Sequence, residues 1–429
     1  MSLDERGAPL ARRTTAVWIG LLAWLGTACT STGPATDEPV DGATDYWLYV
    51  AAESADEVYK VRFDGERAEV AGIVPVGYQP TEIEGPHGLA VSPDGAHWFV
   101  SIAHGKPFGL LYKYDAATDE LVGEVELGLF PATMQISEAT GLLYCVNFDL
   151  HGDMSPSSVS IVDPDAMVEI ARTVTGPMPH GSRISPDGLF HYSCSMMADT
   201  LFEIDTVDFE IERRLALAAE PGAAPPEPMG AMTESDDATG GGMQEASAMG
   251  MGGTGGMSSG MHGAGPRAKP TWVHPHPTLP RAYVCLNGAA QVVEVDLERW
   301  EVTRRFATGK GPYNVEVTPD GSKLLVSYKS EGAIGVWDVE AGIELARIPS
   351  SRRVTHGVAI SRDGRFGFVS SEGIGSESGT VDVIDMETNA LVATVEVGLQ
   401  AGGIAFWKEA PRRAATPERP KAPALRITP

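Results

Sequence analysis

Thr318-Pro-Asp-Gly321 returns as Ser361-Arg-Asp-Gly364, 43 residues further along the chain. The same turn stands at Ser92-Pro-Asp-Gly95 and Ser185-Pro-Asp-Gly188. Those two copies start 93 residues apart, which leaves room for one degenerate copy, Ser137-Glu138-Ala139-Thr140. Around Thr318 the pattern resolves into four short apolar runs: Asn314-Val-Glu-Val317, Leu324-Leu-Val-Ser-Tyr328, Ala333-Ile-Gly-Val-Trp337 and Glu344-Leu-Ala-Arg-Ile348. Their length and turn punctuation read as strands A to D of one antiparallel unit. A repeat of this size with four strands per copy predicts an all-β, seven-bladed β-propeller.

The blade count follows from two markers. An Asp closes strand C at Asp115, Asp163, Asp205, Asp296, Asp338 and Asp385, where it can accept backbone N–H groups of the next turn. Strand A begins near Gly88, Thr133, Gly181, Trp272, Asn314 and Gly357, giving six full repeats. The seventh is split between the ends. Tyr46-Trp-Leu-Tyr-Val50 and Glu57-Val-Tyr-Lys-Val61 supply its outer strands, and Gly403-Ile-Ala-Phe-Trp407 its inner one, which closes the ring and hides two sheet edges. The propeller is expected over 45–408.

The flanks read differently. Arg6, Arg12 and Arg13 precede an apolar stretch from Val17 to Leu25, too short to span a bilayer. Leu25-Gly26-Thr27-Ala28-Cys29 follows and resembles a bacterial lipobox, with Gly26 where that pattern prefers Leu. Residues 1–29 are expected to be a signal peptide and Cys29 the lipidated residue that ties the chain to a membrane; secretion without a lipid is the alternative. Thr30 and Ser31, by the same resemblance, imply an outer-membrane lipoprotein facing the periplasm. Residues 30–44 read as a flexible tether and 409–429 as a disordered Pro/Arg/Ala-rich tail.

Composition excludes some partners. A net charge of −26 leaves no basic footprint for nucleic acid, and none of the repeats carries one. The 49 glycines suit a fold made of tight turns. With Cys29 committed to lipid, Cys145, Cys194 and Cys285 allow at most one disulfide. All three fall on a B strand, and Ser101, Ser327 and Ser370 stand where Cys194 and Cys285 do. That pattern reads as a slot for a small buried side chain.

Thr380-Val-Asp-Val-Ile-Asp385, the run from Leu391 to Gly398, Tyr283-Val-Cys-Leu-Asn287 and Gly357-Val-Ala-Ile-Ser361 together resemble the YVTN-repeat propellers of bacterial envelopes. The resemblance implies a seven-bladed fold. For function it implies only a range: ligand-binding or interaction modules, lactonase-like enzymes, and propeller domains of haem and copper reductases.

The unusual residues gather on one face. Pro86-His87-Gly88, Pro179-His180-Gly181 and Thr355-His356-Gly357 precede strand A in three repeats, at the expected channel rim; Thr271 and Tyr313 stand there in two others. The B-to-C connections of the same face carry His104, the run Asn147-Phe-Asp149-Leu-His151-Gly-Asp153-Met154, and Met196-Met197. A Gly-rich insertion at 219–269 adds Met229, Met232, Met243, Met249, Met251, Met257, Met261 and His262, seven of the 15 methionines. It is too poor in apolar bulk to fold alone.

Thioether and imidazole are the ligands that copper prefers. His87, His180, His356, His151, Met251, Met257, Met261 and His262 are therefore the candidate metal ligands, with copper the candidate ion. The plain alternatives are bracing histidines, a solvated turn at His151, packing for Met196 and Met197, and a linker for the insertion. No Cys-x-x-Cys-His haem attachment occurs. Three functions stay open. The first is a non-catalytic envelope propeller, expected to be monomeric, that binds a ligand or partner on its upper face. The second is a lactonase-like hydrolase using Glu82, Glu84, His87, His180 and Arg183. The third is a scaffold whose Met-rich arm contacts an envelope protein.

Overall fold

The computed structural model describes residues 39–79, 82–104, 109–150, 154–217 and 268–413. Val40–Arg412 form one compact unit. It contains seven four-stranded antiparallel sheets, the expected propeller.

Six blades are continuous in sequence. Their inner strands are Pro86–Val91, Pro131–Ile136, Pro179–Ile184, Pro270–Pro275, Pro312–Val317 and Val354–Ile360. Five of these open on proline, which cannot donate to a ladder and is tolerated at the first residue of a strand. The remaining blade is the split one: Ala401–Arg413 pairs with Pro39–Ala52, followed by Glu57–Phe63 and Ala68–Pro75. The two terminal strands run past the expected limits at 45 and 408. Their mutual pairing explains this, since each supplies the other's edge, and Arg412 reaches Asp45 at 3.3 Å.

Local hydrogen bonds account for the repeat signatures. In the Thr318 turn, Asp320 accepts from the Thr318 hydroxyl at 2.6 Å and from the Ser322 amide at 3.0 Å, while Lys323 N donates to the Thr318 hydroxyl at 2.9 Å. The Ser92, Ser185 and Ser361 turns repeat this arrangement. All six Asp residues that end strand C accept one or two amides of the following turn. They are structural, as their spacing indicates.

Between blades the core is apolar and rich in aromatic rings. Tyr49, Trp98 and Trp407 stack where the split blade meets the next, and the Trp407 indole donates to the Gly95 carbonyl at 2.9 Å. Cys145, Cys194 and Cys285 are fully buried and free, so the slot reading holds. Where Ser replaces Cys, its hydroxyl staples one inner strand to the next. Ser101 accepts from Gly88 N and donates to the Ala132 carbonyl; Ser370 joins Gly357 N to Gly402 O.

Candidate functional site at the channel mouth

Every continuous blade interrupts its inner ladder at the same place. Register shifts lie between Pro86 and Leu89, Pro131 and Met134, Pro179 and Ser182, Pro270 and Trp272, Pro312 and Val315, and Thr355 and Val358. A bulge re-aims side chains. These bulges hold His87, Ala132, His180, Thr271, Tyr313 and His356, so one ring of positions carries the expected rim residues.

The glycine after each histidine has a separate cause. A Cβ on Gly88 would lie 1.8 Å from the Ala132 carbonyl oxygen, and one on Gly181 would lie 2.3 Å from that of Thr271. Adjacent inner strands approach too closely there for any side chain. The His-Gly pair is therefore half chemistry and half packing.

The three histidine rings converge. His87 lies 6.1 Å from His180 and 5.8 Å from His356 between ring centroids. They are not open to solvent: His87 and His356 are 6% exposed and His180 is 2% exposed. The rim is a plug rather than a lip.

Each ring already has a neighbour. Glu53, in the 3-10 turn Glu53–Ala55 of the split blade, takes His87 Nδ1 on one carboxylate oxygen and His104 Nε2 on the other, both at 2.9 Å. Tyr313 OH lies 2.7 Å from His180 Nε2. His356 Nε2 sits 3.8 Å from a Glu372 oxygen that also pairs with Lys329 at 3.0 Å. The Lys329 ammonium lies 4.4 Å from the centre of the Tyr313 ring. Phe130 and Phe148 wall the same end, with their ring centres 5.3 Å from His87 and 4.9 Å from His180.

Electrostatics divides these groups. Burial would push the Glu53 carboxyl up, but the charge and hydrogen bonds of His87 and His104 outweigh it and hold the group down near about 2. Burial drives His180 and His356 well below the usual imidazole range, helped by His87 and Lys329. Both are neutral imidazoles at pH 7. Burial also raises the Tyr313 phenol to about 12. A phenol can donate or accept, but the Thr271 carbonyl beside His180 favours a proton on Nδ1, which leaves Nε2 to accept from Tyr313.

A second polar layer lies deeper in the channel. Arg183 pairs with Glu316 and covers the Trp272 ring at 4.9 Å, while His274 Nε2 reaches the other Glu316 oxygen at 2.9 Å. Burial would raise Glu316, yet Arg183 and His274 hold it near about 2. Between the layers is a cavity of about 50 Å³ to which all seven inner strands contribute.

Several expectations need adjustment. The carboxylate of His87 is Glu53, not Glu82 or Glu84. Glu82 is exposed, and Glu84 turns to the Tyr78 amide. Arg183 points down to Glu316, away from the Tyr313 side of His180. The acid, base and electrophile proposed for a hydrolase are thus not brought together. Met196 is buried against Phe130, Phe148 and Met178, the packing alternative. Among the described residues, no group of three or more His, Cys, Asp or Glu is arranged to hold a metal ion. His151, Met251, Met257, Met261, His262 and Cys29 lie outside the described residues.

Glu53, Lys329, Glu372, Glu316 and His274 were not among the sequence candidates. Glu53 had a usable signal: it occupies the B-to-C connection of the split blade, beside the connection that carries His104. Reading the split blade as a blade places the two loops together.

Comparisons with known proteins bear on the fold. No family model matches the chain, and no curated protein matches it. Among solved structures, a chain of Kuenenia stuttgartiensis hydrazine synthase is 19% identical, with a TM-score of 0.56, covering 80% of this chain and 99% of its own. A functionally unknown protein from Desulfotomaculum acetoxidans is 14% identical, with a TM-score of 0.59, covering 84% of this chain and 98% of its own. At these identities the likeness shows the fold alone: the chain is a seven-bladed β-propeller.

Proposed function

We propose that this chain is a non-catalytic binding propeller of the bacterial cell envelope, whose ligand or partner docks at the channel mouth. One observation carries the reading. Glu53, His87, His104, His180, Tyr313, Lys329, His356 and Glu372 come from five blades and crowd one end of the channel. The fold does not require them, because the corresponding bulge positions in other blades are filled by Ala132 and Thr271. Burying so many ionisable groups costs stability, and such expense concentrates at functional sites. The hydrolase reading loses support because its residues diverge.

The envelope assignment rests on Arg6, Arg12, Arg13, the apolar stretch and Cys29, together with the YVTN-repeat resemblance. Copper remains a ligand to test. The thioether and imidazole content of the insertion favours it, while the engagement of His87 Nδ1 and His180 Nε2 leaves less of the rim free for it.

The test is a thermal-shift survey of the mature protein against soluble metabolite classes and against Cu(I) and Cu(II). It is run beside His104→Ala and Lys329→Met, two of the partly exposed members of the cluster. A stabilising ligand whose effect both variants reduce at least about tenfold in affinity supports the mouth as the site. Stabilisers that bind the variants unchanged place the site elsewhere, and a survey without any stabiliser removes the small-ligand form of the proposal.

A further inference from the structure

The cavity beneath the histidine plug is lined by three buried polar side chains, each with an atom that lacks a partner. They are the Trp272 indole Nε1, the Asn314 side-chain Oδ1, and His180 Nδ1, which has the Thr271 carbonyl near it but makes no well-aligned hydrogen bond. Trp272 is 8% exposed, and Asn314 and His180 are 2% exposed. A buried polar atom without a partner costs stability, so each of these groups calls for one.

The chemistry of the three is complementary to one class of molecule. Trp272 Nε1 can only donate. His180 is neutral, and its Nε2 is held by Tyr313, so Nδ1–H also donates. Asn314 offers an acceptor, and its amide presents a donor if turned over. Two N–H groups with a neighbouring amide suit a carbonyl oxygen and its geminal N–H. The wall adds no free charge, because Arg183 is already paired with Glu316. The remaining lining includes Leu89, Met134, Val358 and Ile404, which are apolar. About 50 Å³ accepts a few non-hydrogen atoms and no more.

We propose that this cavity binds a small uncharged primary amide or urea-like molecule. Its oxygen accepts from Trp272 Nε1–H and His180 Nδ1–H, and its N–H donates to Asn314. The inference goes beyond the mouth proposal: the cavity shares His87, His180 and His356 with the mouth, whereas Glu53, His104, Lys329 and Glu372 are not part of this wall. A molecule of about four heavy atoms binds no more tightly than tens of micromolar, so the affinity expected is in the range of about 0.05–10 mM.

The experiment titrates acetamide and, separately, formamide into the ¹⁵N-labelled full chain and follows the indole N–H signals. Trp272→Phe identifies the Trp272 signal. The expected result is a saturable shift of that signal alone, weakened at least about tenfold in Asn314→Leu. His104→Ala and Lys329→Met should leave it unchanged, which separates this site from the mouth. Three outcomes overturn the proposal. The first is a linear drift shared by all indole signals; the second is saturable binding that Asn314→Leu does not weaken. The third is no shift up to about 100 mM, well above the expected range, in which case the polar atoms are served by water. Should Asn314→Leu fail to fold, Asn314→Ala supplies the same comparison, because it also removes the acceptor.

Discussion

The Tyr313 hydroxyl lies 2.7 Å from Nε2 of His180, although 133 residues separate the two in sequence. Both occupy the inner-strand bulge of their blades, and both are buried. The ring brings them together across the channel, and with the His180 proton on Nδ1 the Tyr313 hydroxyl donates to Nε2.

Removing one partner of this bond is expected to cost more than the bond itself contributes. Tyr313→Phe leaves Nε2 buried with nothing to accept from, at a cost of about 1–3 kcal/mol. Equilibrium unfolding in urea at pH 7.5 measures it. The His180 ring should also lose its single tautomer, visible as intermediate ¹⁵N shifts of the two ring nitrogens.

Acid should weaken the fold below neutrality. His180 and His356 are pushed well below the usual imidazole value by burial, and burial lowers His191 to about 3. The unfolded chain takes up protons at these sites near pH 6.5, whereas the folded chain does not. Stability is therefore complete above about pH 6.5 and falls as the pH drops, by about 1.4 kcal/mol per pH unit for each histidine. Urea midpoints from pH 7.5 to 5 should decline, and His356→Gln should flatten the slope.

Glu53 works in a lower window. Its carboxyl is held near about 2 against an ordinary 4.5, so its contribution is present above pH 4.5 and lost as the pH falls toward 2. Glu53→Gln is expected to cost about 3 kcal/mol at pH 7, from the size of that shift. The deficit should shrink as the wild type itself is titrated below pH 4.5, and unfolding at pH 7 and pH 3.5 tests both points.

What the sequence made legible follows from local chemistry. The Pro-Asp-Gly turns and the Asp that ends strand C are satisfied within a few residues, so their spacing reveals blades and blade number. The rim position of His87, His180 and His356 was legible for the same reason, because repeats align equivalent residues on one face. Their partners were not. Glu53 and Lys329 reach the site from other blades, and no local pattern encodes a contact across the ring; Tyr313 was placed on the rim without its bond to His180, and Glu372 lies on the strand beside His356 in the same blade. The bulge was also hidden, since a shifted register leaves the apolar alternation of strand A intact. The burial of the rim follows from that bulge, which turns the rings inward.

Packing between inner strands should be equally sensitive. Gly88→Ala would set a methyl 1.8 Å from the Ala132 carbonyl oxygen, a backbone atom that cannot swing aside. A loss of about 3 kcal/mol is expected. Thermal unfolding of the variant would show it, and a Tm within a degree or two of wild type would mean that the blades shift apart more readily than their close approach implies.

The central claim is that the channel mouth is kept for binding and not for bracing. The most direct measurement is the urea unfolding free energy of the double variant His180→Leu/Tyr313→Phe at pH 7.5, beside Tyr313→Phe alone. Replacing both members of a buried polar pair by apolar groups leaves no orphan, and sites held for function are often more stable without their polar groups. The account predicts that the double variant recovers the loss of the single one and equals or exceeds wild type. A double variant less stable than Tyr313→Phe, by about 2 kcal/mol or more, would show that His180 and Tyr313 brace the ring and would contradict the claim.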